Sequence, residues 1–353
     1  MTSQSQKRAF SICCLVLSGA LVLWLGLATS SRSTWNDLPN SSVLSKQTSE
    51  QAFTNFKSGK TDNPHTVRAR STVLNHLIQS YYSRDRTAVA QGFSDLEYQL
   101  LHSGELNPEL FDDLKEAISD STFGVDFRLG LVEALMQGAS PQAIPRILDL
   151  YHSSEDKAIK TAVLNKLPDI QGNVRLIDQS INVTPELIAG YTSQSTDPVL
   201  LAALAIALTK MGDEKALGFL IDEVMSHASS VESIASCHDP RVNAAIAALT
   251  DNQIQSGKAV PYLSARLRHS EPINTETYMT IMTLSSIGNP QATQILISFF
   301  ESASDGYAPI ANLALGRLAY PDDQVLLRTA SVQDFRSSTI KRIVESVADR
   351  FGK

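Results

Sequence analysis

Apolar residues recur with helical spacing along the chain from about His65 to the C-terminus. Clean alternation of apolar and polar residues, the pattern of a half-buried strand, never continues for five residues. A residue with a capping side chain stands directly before proline at many points, as in Asp197-Pro198, Asp239-Pro240 and Asn289-Pro290. Such pairs are typical of the first turn of a helix. The sequence therefore predicts an all-α fold.

Three segments of this helical region align with one another: Leu135–Tyr151, Leu208–Val224 and Leu284–Phe300. Each has a leucine, then three residues, then a small residue and a capping residue. The small residues are Ala139, Gly212 and Gly288, and the capping residues are Ser140, Asp213 and Asn289. This order predicts that one helix ends at the small residue and the next begins after the capping side chain.

Each copy also carries an alanine three positions after its capping residue: Ala143, Ala216 or Ala292. Positions 0, +1, +4, +5 and +8 from this alanine are apolar or small in fourteen of fifteen cases, which predicts one buried face per helix. Weaker copies place Ala259 and Asp323 at the alanine position.

The pattern L-x3-G-[DN]-x2-A-x3-L resembles the HEAT-like repeats of armadillo-type α-solenoids, and the resemblance covers roughly residues 127–327. It implies an α-solenoid of helical hairpins that binds or scaffolds other molecules. We therefore expect HEAT-like repeats at 127–336. An N-terminal helical region should occupy 65–126, and a C-terminal capping helix 337–353.

A run of about twenty apolar or small residues, Ala9–Ala28, follows Lys7 and Arg8. Its length suits a transmembrane signal anchor, while the small residues at its end also suit a cleaved signal peptide. Residues 1–8 would be a short cytoplasmic N-terminus and 29–64 a flexible linker. The expected localisation is a single-pass inner membrane protein with its body in the periplasm or outside. After cleavage it would be secreted or periplasmic.

The full chain carries a net charge of -7. Without Lys7 and Arg8, 28 basic and 37 acidic residues remain, so nucleic acid is not an expected partner. Cys237 is the only cysteine outside the apolar run, so the body should hold no intrachain disulfide.

Catalytic and metal-binding motifs are not recognisable in the sequence. Cys237, His238 and Asp239 are adjacent, and adjacent side chains point in different directions, so we interpret them as loop residues. The seven histidines lack the spacing of a zinc site. We therefore expect no cofactor, no metal and no enzymatic activity, while an all-α envelope enzyme without a recognisable motif stays open as an alternative.

The function expected from these features is that of a membrane-tethered extracytoplasmic scaffold that binds another protein. Its candidate concave-face residues lie at offsets -1 and +6 from the repeat alanines: Gln142, Asp149, Lys215, Asp222, Gln291 and Ser298. Asp149 and Asp222 favour a basic partner segment. A second alternative is a periplasmic folding helper, because lipase foldases share the outline of anchor, linker and helical body. Their R-x2-F-D-Y motif is not met at residues 108–113.

Overall fold

The computed structural model divides the chain into two compact units, Met1–Pro64 and His65–Lys353. The structure describes residues 71–102, 108–137, 143–174, 182–193, 197–228, 230–235, 237–250, 257–318 and 321–350, all of them in the second unit. The predicted membrane segment Ala9–Ala28 and the predicted linker 29–64 lie outside the described residues.

Every regular element in the described ranges is helical, which confirms the predicted all-α, repeat-like fold. The α-helices are α1 Thr72–Ser83, α2 Arg86–His102, α3 Pro108–Ser119, α4 Val125–Gln137, α5 Ala143–Ser153, α6 Lys157–Val174, α7 Thr184–Ser193, α8 Pro198–Met211, α9 Glu214–His227, α10 Val231–Ala235, α11 Pro240–Leu249, α12 Val260–Arg266, α13 Thr275–Ile287, α14 Pro290–Glu301, α15 Ala308–Leu315, α16 Pro321–Ser331 and α17 Ser338–Arg350. A 3₁₀ turn, Asp305–Tyr307, precedes α15.

The helices form two layers. The first layer contains α1, α3, α5, α7, α9, α12, α14 and α16, and the second contains α2, α4, α6, α8, α11, α13, α15 and α17. In the second layer each helix packs against the next without a break. Helices of the two layers pair across the core, as α1 does with α2, α5 with α6, and α7 with α8. Each helix therefore buries one face against the other layer and its sides against its neighbours.

The predicted helix boundaries at the second and third repeat copies are confirmed in detail. Asp213 accepts a hydrogen bond from the Ala216 amide at 2.8 Å, and Asn289 accepts one from the Ala292 amide at the same distance. Each preceding helix ends at a glycine in the left-handed region, Gly212 at φ 59° and the equivalent third-copy glycine at φ 55°. Glycine adopts this conformation without the steric cost of a Cβ atom, which explains the small residue in the motif. The corresponding positions of the first copy, 138–142, lie outside the described residues.

The predicted buried stripe is present in all three copies. Fourteen of its fifteen side chains are buried, and Leu148 is half-buried. The polar member of the stripe, Thr293, is completely buried. Its hydroxyl is satisfied there because it donates a 2.6 Å hydrogen bond to Asp323, which is itself 0% exposed. Asp323 stands at the alanine position of one of the weaker copies, in the first turn of α16.

A second threonine forms the same link between neighbouring repeats. Thr184 is the first residue of α7, and its hydroxyl donates a 2.8 Å hydrogen bond to Asp213 at the start of α9. The α7–α9 and α14–α16 contacts thus each join a threonine near one helix start to an aspartate near the next. These links set the register between successive repeats of the first layer.

The predicted C-terminal helix and the predicted border near residue 126 relate differently to the helices of the structure. The C-terminal helix α17 buries Ile340, Val344, Val347 and Ala348 against the stack and leaves its polar residues exposed, as a terminal repeat must. The proposed border between residues 126 and 127 lies within α4. Helix pairs before and after this border continue the same two layers.

Candidate functional site

The predicted site residues that the structure describes all lie on the first layer. Asp149 is on α5, Lys215 and Asp222 on α9, and Gln291 and Ser298 on α14, and all five are exposed. Helices α7 and α12 stand between these three helices in the layer. The structure therefore does not bring the predicted residues together into one continuous patch. Gln142 lies outside the described residues.

Both acidic members of that set are engaged by cations from neighbouring helices. Lys115 on α3 forms an ion pair with Asp149. Arg266 on α12 approaches Asp222 at 2.6 Å and Glu276 on α13 at 2.8 Å. The guanidinium also donates to the Tyr262 hydroxyl and lies over the Tyr262 ring.

Arg266 is the most tightly held cation of this surface. Burial acts to lower its pKa, but the hydrogen bonds to Asp222, Glu276 and Tyr262 outweigh burial and raise the pKa above its usual value. The side chain thus joins α9, α12 and α13 as a permanent positive charge. The negative charge of Asp222, which favoured a basic partner in the sequence analysis, is largely compensated by this contact.

The Cys237-His238-Asp239 segment is a connection between α10 and α11. Asp239 accepts a 2.8 Å hydrogen bond from the Arg241 amide and caps α11, while Cys237 is half-buried and His238 exposed. His227 at the end of α9 approaches Asp239 at 3.7 Å and lies 2.8 Å from the Ser226 hydroxyl. That hydroxyl donates to the Glu223 carbonyl at 2.8 Å. The serine proton is therefore directed at the backbone and not at the imidazole, unlike in a catalytic triad.

The outer face of the second layer has a different chemistry from that of the first. On α8 the positions that are not buried between its ends recur at helical spacing: Val199, Ala202, Ile206 and Lys210. Val199 is 46% exposed. The helix α8 packs against α6, α7, α9 and α11, and this stripe is its least buried face, with Ala202, Ile206 and Lys210 half-buried. Three of its four residues are apolar.

Neighbouring helices of the second layer extend this apolar face. The equivalent stripes carry Leu129 on α4, Ala162 on α6 and Ala247 on α11, beside polar residues such as Glu133, Thr161 and Asn243. We call Leu129, Ala162, Val199, Ala202, Ile206 and Ala247 the apolar strip. Exposed positions of the first layer, by contrast, are mainly charged or amide side chains such as Glu109, Glu186 and Gln294. Apolar side chains are also exposed elsewhere in the described ranges, with Tyr98 at 65% and Leu101 at 57% on α2 and Val325 at 64% on α16.

The sequence analysis missed the apolar strip because it counted one buried stripe per helix. A signal was present in α8, where only Thr209 and Lys210 are polar between Pro198 and Met211. A helix that buries a single face does not need apolar residues on all its sides. The excess of apolar residues in α8 could have marked this face.

Carboxylates line the strip where the second-layer helices begin. Asp126, Glu155, Asp156, Asp197 and Asp239 stand at the starts of α4, α6, α8 and α11, and we call them the acidic edge. Four cations stand in the same first turns: Arg128 approaches Asp156 at 2.8 Å and Lys157 approaches Asp197 at 2.7 Å, while Lys160 lies over the Tyr151 ring and Arg241 approaches Glu223 at 2.9 Å. The five carboxylates of the acidic edge are therefore nearly matched by these four cations.

The ion pairs of the acidic edge lower two pKa values. The hydrogen bond from Lys157 comes first among the causes that hold the pKa of Asp197 below its usual range. Burial acts to raise the pKa of Asp156, but the Ala158 amide and the Arg128 guanidinium outweigh burial and lower it. Both carboxylates are therefore better stabilised in the folded chain than in an unfolded one.

These pKa shifts predict a loss of stability in acid. A group whose pKa is lowered by folding stabilises the fold above its unfolded pKa, about 3.9 for aspartate, and loses this effect as pH falls through the folded value. We expect the melting temperature of the full chain to fall between pH 5 and pH 3, as measured by circular dichroism.

The control for this prediction is the double variant Asp156→Asn/Asp197→Asn. Asparagine remains a good helix cap but cannot ionise, so the variant should show a shallower fall over the same pH interval. Asp112→Asn, at an exposed position of α3, should leave the slope unchanged. An identical slope in the double variant and the parent chain would contradict the assignment.

The opposite border of the strip is mixed in charge. Lys166 on α6 approaches Glu133 on α4 at 3.6 Å, and Lys210 on α8 donates to the Asn165 carbonyl at 3.4 Å. Burial, and then the nearby charge of Glu133, raises the pKa of Glu97 on α2. Arg317 donates to the Thr250 carbonyl at 3.0 Å at the end of α11. This border has no consistent sign of charge.

Within the described residues, no group of three or more histidine, cysteine, aspartate or glutamate side chains could hold a metal ion. Among the helices in the same ranges, none is long and apolar enough to cross a membrane.

No protein-family model matches the chain, and a search of curated proteins gives no match either. Among solved structures, the chain is similar to human deoxyhypusine hydroxylase in complex with glycerol, with 16% sequence identity and a TM-score of 0.28. The alignment covers 69% of this chain and 96% of the hydroxylase chain.

This comparison corrects one expectation. We expected the chain not to be an enzyme, and the structure to which it is similar is that of an enzyme, so that expectation is contradicted. A TM-score of 0.28 supports no argument for a particular activity.

Proposed function

We propose that this chain is a HEAT-like α-solenoid that binds another protein through the outer face of its second helical layer. The observation that carries the proposal is the apolar strip, whose residues lie on α4, α6, α8 and α11 and are exposed or half-buried. Isolated apolar side chains are normal on protein surfaces, but Val199, Ala202 and Ile206 form one apolar stripe along α8, and such a grouped set is typical of an interaction site. The confirmed repeat boundaries at Asp213 and Asn289 support the solenoid interpretation.

We also propose that Ala9–Ala28 tethers the protein to a membrane, with the helical body on the extracytoplasmic side. The support is the apolar run itself and the two basic residues before it. A tether would keep the strip near the membrane surface and raise the local concentration of any membrane-bound partner.

Site-specific photo-crosslinking in cells tests the binding proposal. A photoreactive phenylalanine analogue replaces Val199, on the strip, or Val325, an exposed valine on α16 in the first layer. We expect irradiation to give a discrete adduct from position 199 that mass spectrometry assigns to one protein. Position 325 should give no such adduct.

Position 325 is a matched control because it is also a helical valine and is 64% exposed. Equal adducts from both positions would mean that the crosslinks report exposure only. No adduct from position 199 and none from Ala202 or Ile206 would contradict the proposed function.

A further inference from the structure

We infer that α10 is a cover over the outer positions of α13, and that its opening lengthens the binding face of the second layer. The inference rests on the proposed function, because it concerns the regulation of the same face. Four observations carry it: the burial of those positions, the contact between α10 and α13, the build of the connection that holds α10, and an unpartnered buried hydroxyl at the start of α13.

The outer positions of α13 are buried where those of α8 are more open. Gly212 and Gly288 end the two helices in the same left-handed conformation, so positions 76 residues apart correspond. The outer stripe of α8 therefore corresponds to Thr275, Tyr278, Met282 and Ser286 on α13. The first, third and fourth of these residues are buried, and Tyr278 is half-buried. Another part of the chain therefore covers this face of α13.

The contacts between described helices point to α10 as that cover. Towards the first layer, α13 packs against α9, α12 and α14, and within its own layer it packs against α11 and α15. These contacts take up the inner face and both sides of α13. The short helix α10, which belongs to neither layer, also packs against α13. The outer face is the position that remains for it.

The connection that carries α10 is built as a closed loop. It runs for twelve residues from α9 to α11, against three from α5 to α6 and four from α7 to α8. His227 and Asp239 at its two ends approach to 3.7 Å, so the ends lie close together. Within the loop, the Ser230 and Ser233 side chains each accept a hydrogen bond from the amide of the other, at 3.3 and 3.0 Å. Surface loops with close ends and internal contacts form local structural units and are frequently functional.

The closed arrangement is weakly held. The helix α10 has five residues, and its larger apolar side chains, Val231 and Ile234, are only half-buried. The Thr275 hydroxyl is buried without a hydrogen-bond partner among the described residues. Such a hydroxyl disfavours the closed arrangement, because opening would return it to water. The cover therefore opens at a lower free energy than the stack unfolds.

Opening changes the chemistry of the second layer. It uncovers Tyr278 and Met282, an aromatic and a flexible apolar side chain of the kinds that protein partners contact. Both lie on the helix that follows α11 in the layer, so they extend the binding face beyond the apolar strip. A partner on this face and α10 would compete for α13.

Native-state hydrogen exchange of the full-length chain, read by mass spectrometry at low urea concentrations, tests the opening. We expect α10 and the first turns of α13 to exchange together, about 10-fold or more faster than α8, while the stack stays folded. Ile234→Asp and Val231→Asp should each speed exchange at the start of α13, because they remove the apolar contacts of α10. Glu232→Lys, at an exposed position of the same helix, should not. If α10 exchanges only when α8 does, it is a fixed part of the stack and the inference is wrong.

Photo-crosslinking from position 278 tests the cover and its competition with a partner. With the photoreactive phenylalanine analogue in place of Tyr278, the parent chain should form an internal crosslink to residues 231–235. In the Ile234→Asp variant the internal crosslink should be lost, and position 278 should capture the protein that position 199 captures.

The outcomes separate the inference from the proposed function. If position 199 captures its partner but position 278 does not in Ile234→Asp, the inference is wrong and protein binding stands. If position 199 captures nothing, the proposed function fails, and the internal crosslink still decides whether α10 covers α13. A parent chain without that internal crosslink would overturn the inference.

Discussion

Leu204→Ala is expected to lower the free energy of unfolding by about 2–5 kcal/mol. Leu204 is 0% exposed and lies in α8, which packs against helices of both layers. A Cβ atom placed at Gly190 on α7 would lie 3.3 Å from one of the Leu204 methyl groups, so the two helices meet closely at this point. Alanine would leave a cavity that such closely packed helices cannot easily close.

Urea unfolding of the full-length chain, followed by circular dichroism, measures this effect. Val325→Ala removes a similar apolar side chain from an exposed position and should stay within about 0.5 kcal/mol of the parent. A loss below about 1 kcal/mol for Leu204→Ala would contradict the packing of α8 described above.

Thr293→Val is expected to cost about 1.5–3 kcal/mol, the range for a hydrogen bond to a charged group. Valine keeps the shape of threonine but removes the hydroxyl that donates to Asp323 at 2.6 Å. Both residues are completely buried, so water cannot replace the lost donor.

Thr184→Val provides a matched comparison in another repeat. Its hydroxyl donates to Asp213 at 2.8 Å, but Asp213 is half-buried and also accepts from the Ala216 amide. We expect a smaller loss of about 1 kcal/mol. Equal losses in the two variants, or a gain in stability for Thr293→Val, would mean that the buried link between α14 and α16 does not stabilise the stack.

The sequence predicts the local parts of this fold well. Helical spacing, the capping residues Asp213 and Asn289 and the glycines before them each act over a few residues, and the structure confirms them. Contacts between repeats are harder to predict from the sequence, because they depend on which distant helices become neighbours. The Thr293–Asp323 hydrogen bond is an example, since its two residues are 30 positions apart.

The candidate site shows the same limit more clearly. The offsets from the repeat alanines correctly select exposed positions such as Asp222 and Gln291, because exposure follows from helical periodicity. Periodicity does not reveal that Arg266, 44 positions away, compensates the charge of Asp222. Nor does it reveal which layer leaves apolar residues uncovered, because that depends on the packing of α8 against α6 and α11.

The unbroken packing of the second layer has a mechanical consequence. Within that layer each described helix packs against the next one, so a load applied at α2 passes along the layer to α17 from helix to helix. Small changes in the angle between neighbouring helices would add up along the stack. Such a chain bends without unfolding, and the distance between its two ends becomes an elastic property of the repeats.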